Sequence, residues 1–369
     1  MSLISSIDIK AFRGIKSLKL DELAQINILT GDNNCGKTSI LEIIESFEEP
    51  DSFLLWRSLI RRETTRMMRP GISYYEGFYD LFDVNMQHKE LEYTIIKDGN
   101  PTNISMYANE TEEELSEEQY SEITGFSSPK DETISEEFMQ IVPKLELTIK
   151  INGTTVNEDA IYRDQWRYFP KKKRPSNKKY VNTVYISPFR HTEGTIFLKD
   201  VLNNPELYEE MLAILKEFDE DILSINYSND DNRGPMGRGV YKILSKSHKQ
   251  ALPLNMYGDG MKKAILLMSA VIRAENGILL LDEFETAIHT SAMDRVFRWI
   301  LKTCKKLNVQ VFMTSHSKEA IEKILKCEPE MSGDIAVYTL YKDESRSSVR
   351  RLTAKKAIEV QDEMGLELR

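Results

Sequence analysis

Four short stretches carry side chains whose types and spacing suit phosphate chemistry. The first, "GDNNCGKTS" (Gly31–Ser39), fits the pattern GxxxxGK[ST] in full. In such a loop Gly31 and Gly36 let backbone N–H groups turn inward around Asn34 and cradle phosphate oxygens, and the helix that follows adds its N-terminal dipole. Lys37 then reaches the β- and γ-phosphates, Thr38 offers a hydroxyl to Mg²⁺, and Ser39 is a further nucleotide-binding residue of the loop. The second stretch, "GILLLDEFE", is an apolar run ending in two adjacent acids. Asp282 at a strand end suits the magnesium, directly or through water. Glu283 beside it suits orienting and deprotonating an attacking water. The third, "VFMTSHS", leaves His316 after an apolar run, where its side chain reaches a γ-phosphate.

The fourth stretch raises a question. In "NMYGDGMKKAILLMSA", Gly258 and Gly260 stand before an apolar helix expected from about Met261 to Ala274. Neither glycine is needed to enter a helix, so the turn is shaped to meet something. One nucleotide is not easily embraced by two helix N-termini of one sheet. A second copy of the chain, related by a two-fold axis, presents this turn to the first copy's γ-phosphate.

The elements that must hold these residues follow from periodicity. "AQINILTG" is a buried strand before the loop, and Ile40, Leu41, Ile43, Ile44 and Phe47 after it recur at helical spacing. Strand, loop, helix is the context a phosphate loop requires. "SLISSIDIKAFRGIKSLKL" alternates as two strands around a tight "FRG" turn, and "NTVYISPFR" is a further strand. "NPELYEEMLAILKEF" starts a helix at Asn204–Pro205. "ENGILLLDEFE", "NVQVFMTSHS" and "DIAVYTLYK" are short apolar runs separated by helices, the alternation of a parallel sheet. A helix is expected over Arg57–Arg69, and an exposed or partly disordered loop over the acidic segment Glu110–Glu137.

Composition narrows the class. The 369 residues suffice for a sizeable core, and 41% apolar with 29% charged residues fits a globular protein. No apolar run reaches membrane-spanning length and no signal peptide opens the chain, so a cytoplasmic location without membrane partners is expected. Cys35, Cys304 and Cys327 form no CxxC pair and read as free thiols, Cys35 as a small filler of the loop. The net charge is −10, and Glu110–Glu137, with eleven acids and one lysine, accounts for all of it. Two basic clusters, Trp56–Arg69 and Arg163–Lys179, are either solvated faces or patches for nucleic acid or an acidic partner.

"FRG", "GDNNCGKTS", "YGDGMKK", "LLLDEFETAIHTS" and "TSHS" occur in the order found in SMC/RecF-like ABC ATPases. More closely, the set resembles the overcoming-lysogenization-defect (OLD) ATPases and their stand-alone bacterial relatives. The tail from "VYTLYKDES" onward also resembles the closing segment of those stand-alone proteins. The resemblance covers residues 1–50 and 180–369. It implies an α/β fold: a P-loop NTPase with an ABC-ATPase-like head, an antiparallel β subdomain and an inserted α-rich segment. The head is expected over 1–50 and 180–369. The insertion, with helical, β and acidic loop pieces, is expected over 51–179. The implied activity is Mg²⁺-dependent ATP hydrolysis by a chain that at least dimerises. The implied role is a nucleotide-driven switch in anti-phage defence, with a separately encoded effector such as a nuclease. A RecF-like repair ATPase, with DNA as partner, is the rival, and a non-hydrolysing scaffold is disfavoured by Lys37 and Glu283.

Residue by residue, Arg13 resembles the N-terminal arginine that contacts nucleotide phosphate or base. Gly258 and Gly260 match the signature turn, but Tyr257 stands where those signatures carry serine, so backbone donors and Lys262 or Lys263 would have to serve. Gln87 and Gln165 are Q-loop candidates by type alone. Sustained heptads are absent, which excludes long coiled-coil arms. The stretch after His316 is short for the acid-rich nuclease domain of full OLD proteins, and none is expected.

Overall fold

The computed structural model describes residues 3–60, 73–83, 88–124, 139–163, 165, 179–188, 197–228, 240–287, 292–342 and 347–364. The chain opens with the expected strand pair, β1 (Ile4–Phe12) and β2 (Ile15–Leu20), joined by a turn at Arg13–Gly14. Strand β3 (Ile26–Gly31), buried at every position, then delivers the chain to the glycine loop and helix α1 (Lys37–Ser46). Helices α2 (Phe53–Ile60) and α3 (Tyr74–Tyr79) follow. The helix expected over Arg57–Arg69 is seen only as the end of α2, the rest lying outside the described residues.

Next come β4 (Lys89–Lys97), β5 (Asn100–Ser116), α4 (Glu117–Thr124), β6 (Met139–Ile151) and β7 (Thr154–Tyr162). These strands join the opening pair in one antiparallel sheet of order β2-β1-β4-β5-β6-β7. Two expectations are corrected here. Residues 51–179, expected to be α-rich, carry more strand than helix among their described residues. The sheet also takes strands from both sides of residue 50, so the expected insertion and the start of the head share one sheet. The described part of the acidic segment is regular, strand to Ser116 and helix over Glu117–Thr124. Glu110–Ser116 continues β5 beside β6, where Lys144 bridges Glu113 at 2.8 Å and Glu146 at 2.9 Å. A cation from the neighbouring strand thus offsets one of the carboxylates, Glu113, that made the segment look like a loop.

The chain then lays down β8 (Thr183–Ile186), α5 (Leu198–Leu202), α6 (Pro205–Leu215), β9 (Ile222–Ser228), β10 (Val240–Ser245) and β11 (Leu252–Pro253). Asn204 caps α6, accepting from the Leu207 N–H at 3.3 Å, as its Asn-Pro start predicts. The remainder alternates α7 (Asp259–Arg273), β12 (Ile278–Leu281), α8 (Ala292–Lys306), β13 (Gln310–Thr314), α9 (Lys318–Cys327), β14 (Ile335–Lys342), β15 (Ser347–Thr353) and α10 (Ala354–Met364).

The second large sheet has the order β15-β14-β3-β13-β12-β8, parallel except for β15 at its edge. Both of its faces are covered. Leu279, Leu281, Val311 and Met313 face the core built by α7, α8 and α9. Ile278, Leu280 and Phe312 face the core built by α1 and the first sheet. Two-sided burial is why these strands read as unbroken apolar runs rather than alternating ones. Gln310 ties the two sheets together, since its side chain accepts from Ile4 N at 2.7 Å and donates to Ile4 O at 2.8 Å. That link fixes where the β1–β2 turn sits relative to the C-terminal ends of β3, β13 and β12, the edge at which α/β sheets place their ligands.

Candidate functional site

Gly31 ends β3 with φ +135°, and a Cβ there would lie 2.3 Å from the Leu340 carbonyl oxygen, so no other residue fits. Asn34 (φ 62°) and Gly36 (φ 101°) are also left-handed, which coils the loop into α1. Gly36 is the N-cap of α1 and no side chain caps the helix, so its first-turn N–H groups are left for a ligand. In contrast, Asn204 and Ser317 cap α6 and α9 with their own side chains. Lys37, 6% exposed, folds back on its loop, donating to the carbonyls of Gly31 and Asp32 at 2.8 Å each. An ammonium held there stands over the cradle the amides form.

The strand order β3-β13-β12 brings the second and third stretches to this loop. Asp282, 4% exposed, receives three hydroxyl groups. Tyr185 at the end of β8 donates at 2.9 Å, Thr314 at the end of β13 at 2.6 Å, and Thr38 of α1 at 3.2 Å. The Thr38 hydroxyl and the Asp282 carboxylate, expected to share a metal, thus meet across 244 residues of sequence. Both offer hard oxygen donors of the kind that would suit Mg²⁺, which takes few protein ligands beside phosphate oxygens and water.

Glu283 diverges from its neighbour. Its backbone is left-handed (φ 50°), and its N–H donates to the Thr314 hydroxyl at 2.8 Å. One hydroxyl therefore holds both acids, donating to Asp282 and accepting from Glu283. This sends the Asp282 side chain inward and the Glu283 side chain into the cleft. Partial burial, then the nearby charges of Asp282 and Glu285, push the Glu283 carboxyl above its ordinary value of 4.5, while His316 and Lys37 oppose the rise. A raised value makes Glu283 a stronger base. His316 is held by its backbone, whose N–H donates to Glu285 Oε1 at 2.8 Å.

A cleft of about 510 Å³ gathers these groups. It is lined by Asn33, Asn34, Gly36, Lys37, Thr38 and Ser39 from the loop, by Glu283 and His316, and by Gly14, Ile15 and Lys342. Arg13 does not line it. Its guanidinium lies 3.2 Å from the buried Glu42 carboxylate of α1, and Gly14 and Ile15 occupy the wall in its place. Gly258 and Gly260 also lie outside this cleft. Gly258 is the N-cap of α7, no side chain caps that helix, and nothing lies within 4 Å of where its Cβ would be. Asp259 beside it is 83% exposed and pairs with Lys262 at 2.7 Å, which occupies one of the two lysines expected to serve a phosphate. Tyr257 turns inward against the core, with its hydroxyl shielded from solvent. It does not stand in for the serine of the resembled signature. Of the Q-loop candidates, Gln87 lies outside the described residues, and Gln165 accepts from the Tyr162 N–H at 3.2 Å, beyond the cleft lining.

Tyr185, Thr314 and Glu285 escaped the sequence reading. Thr314 and Glu285 sit inside quoted motifs, but their roles depend on which strands become neighbours. Tyr185 lay in a strand with no marker of its own.

The chain is similar to several known proteins. The family model described as "AAA ATPase domain" matches residues 3–321. An ATP/GTP phosphatase of Helicobacter pylori is 26% identical over 341 residues, 87% of each chain. The DNA replication and repair protein RecF of Pseudoalteromonas translucida is 23% identical over 358 residues, covering 88% of this chain and 94% of its own. Among solved structures, an SMC head bound to the C-winged helix domain of ScpA superposes with a TM-score of 0.49 at 14% identity, over 96% of this chain and 99% of that one.

Proposed function

We propose a function from one premise: the chain belongs to the AAA ATPase domain family and is an ATPase. The observation that carries the mechanism is the convergence of Lys37, Thr38 and Glu283 on one cleft, with the buried Asp282 carboxylate just behind it, 3.2 Å from the Thr38 hydroxyl. ATP lies along the glycine loop, its β- and γ-phosphates on the α1 amides. The Lys37 ammonium leaves the Gly31 and Asp32 carbonyls for phosphate oxygens. Thr38 and Asp282 would hold Mg²⁺, which would supply positive charge against the phosphate oxygens. Glu283 takes a proton from water as the water oxygen bonds to the γ-phosphorus and the bond to the ADP oxygen breaks. His316 meets the γ-phosphate end from the β13 side.

The site is completed by a second copy. Support comes from the α7 tip: glycine-started, uncapped, open to solvent, and outside its own chain's cleft. ATP binding then joins two chains and hydrolysis releases them, which makes the protein a nucleotide-driven switch. Its place in anti-phage defence, and a separately encoded effector such as a nuclease, are supported by the motif set it shares with stand-alone OLD ATPases. The rival, a DNA-binding repair ATPase, is supported by the long RecF similarity. The basic clusters that favour it, Trp56–Arg69 and Arg163–Lys179, lie for the most part outside the described residues.

Glu283→Gln is the test. The variant is expected to bind ATP as the wild type does and to lose hydrolysis by at least about a hundredfold, the usual worth of a general base. Unchanged turnover would remove Glu283 from the mechanism. Turnover that rises on adding DNA, with a steep salt dependence, would favour the rival.

A further inference from the structure

Lys342 lines the nucleotide cleft, yet it belongs to none of the motifs that mark the site. Its place follows from the sheet. In β14 the side chains of Ala336, Tyr338 and Leu340 face the core formed by α1 and the first sheet. With a period of two, Lys342 falls on the same face, where the strand outruns that core. Leu340 pairs with Gly31, so Lys342 emerges just beyond the start of the glycine loop. Its ammonium lies 3.2 Å from where a Cβ on Gly14 would stand, at the wall of the cleft made by the β1–β2 turn. The residue is exposed, and among the described residues no carboxylate lies within ion-pairing distance of it.

Strand order says which part of the nucleotide it faces. β3 carries the loop. β13 and β12, with His316, Asp282 and Glu283, lie on one side of it, and β14 lies on the other. The hydrolytic groups gather where the γ-phosphate must be. A cation on the opposite flank meets the other end of the triphosphate. We propose that Lys342 binds the α-phosphate of the nucleotide, acting in affinity and not in the chemical step. A point charge on a flexible stem suits a phosphate oxygen and carries no preference for one base over another.

The inference rests on nucleotide binding in this cleft, and the experiment separates the two. ATP and GTP hydrolysis, and ADP and GDP binding, are measured for the wild type, Lys342→Ala and Lys342→Arg. For Lys342→Ala we expect KM for ATP and Kd for ADP to rise about tenfold, the worth of one charge-assisted contact. The value of kcat should stay within about twofold, since uniform binding is what is lost. GTP and GDP should weaken by the same factor as ATP and ADP, and Lys342→Arg should restore most of the loss. Unchanged KM and Kd in Lys342→Ala, a fall in kcat at constant KM, or a loss confined to one base would each overturn the assignment. If the wild type bound no nucleotide, the proposed function itself would fail, and this inference with it.

Discussion

The Thr314 hydroxyl is the joint on which both acids turn, and Thr314→Val removes it with little change of shape. Thr314 is 1% exposed, donates to Asp282 at 2.6 Å and accepts from the Glu283 N–H at 2.8 Å. A hydrogen bond to a charged group contributes about 1.5–3 kcal/mol and a neutral one about 0.5–1.5 kcal/mol. Neither atom is fully stranded by the change. Asp282 keeps the hydroxyls of Tyr185 and Thr38, and Glu283 borders the open cleft where water reaches its N–H. The net loss of stability is therefore expected at the low end, about 2 kcal/mol, read from the shift of a urea unfolding midpoint. Turnover should suffer separately. Glu283 is left-handed, a conformation that costs a non-glycine residue about 1–2 kcal/mol, and its N–H bond to Thr314 helps to hold it there. Without that bond the aligned carboxylate becomes a minor state, and kcat should fall by about tenfold or more. Phosphate release under saturating ATP measures it. Thr314→Ser keeps the hydroxyl and should retain most of both quantities. A Thr314→Val protein with kcat within twofold of wild type, or a serine variant as impaired as the valine one, would refute the reasoning.

Two further outcomes follow from the site. The Glu283 carboxyl titrates above 4.5 because of burial and the charges of Asp282 and Glu285, and it must be ionised to act. The acid limb of kcat/KM against pH should therefore lie above that of an ordinary glutamate, and Glu285→Gln, by removing one negative neighbour, should move it to lower pH; a limb that stays in place would show that another group sets it. The loop glycines should differ in sensitivity. Gly31→Ala drives a Cβ into the Leu340 carbonyl, a rigid backbone atom, and should cost about 3 kcal/mol or more, whereas Gly36→Ala meets the movable Ile15 side chain at 2.9 Å and should cost about half that; thermal unfolding ranks them, and equal losses would contradict the geometry.

What the sequence conveyed depended on how local each cause was. The glycine loop, the Asp282 strand end and the Asn204 cap are set by a few adjacent residues, and all three stand where expected. The strand character of Glu110–Ser116 was hidden because its compensating cation, Lys144, comes from another strand. Tyr185 and Thr314 escaped for the same reason, since their contact with Asp282 exists only once β8, β12 and β13 lie side by side. Arg13 was placed by analogy with nucleotide-contacting arginines. In the structure its guanidinium lies against the buried Glu42, one turn beyond Thr38 on α1.

The composite site can be tested by mixing two inactive chains. Lys37→Ala disables the phosphate loop but leaves the α7 tip intact. Gly258→Glu adds a carboxylate at that tip where nothing of its own chain is within 4 Å, so its fold should be unharmed while the partner's γ-phosphate is repelled. Each variant alone should be inactive. A one-to-one mixture should regain about a quarter of wild-type turnover, because half of randomly paired dimers are mixed and each mixed dimer holds one intact site of two. No recovery from two well-folded variants, or full activity of Gly258→Glu by itself, would show that one chain hydrolyses ATP without help from another.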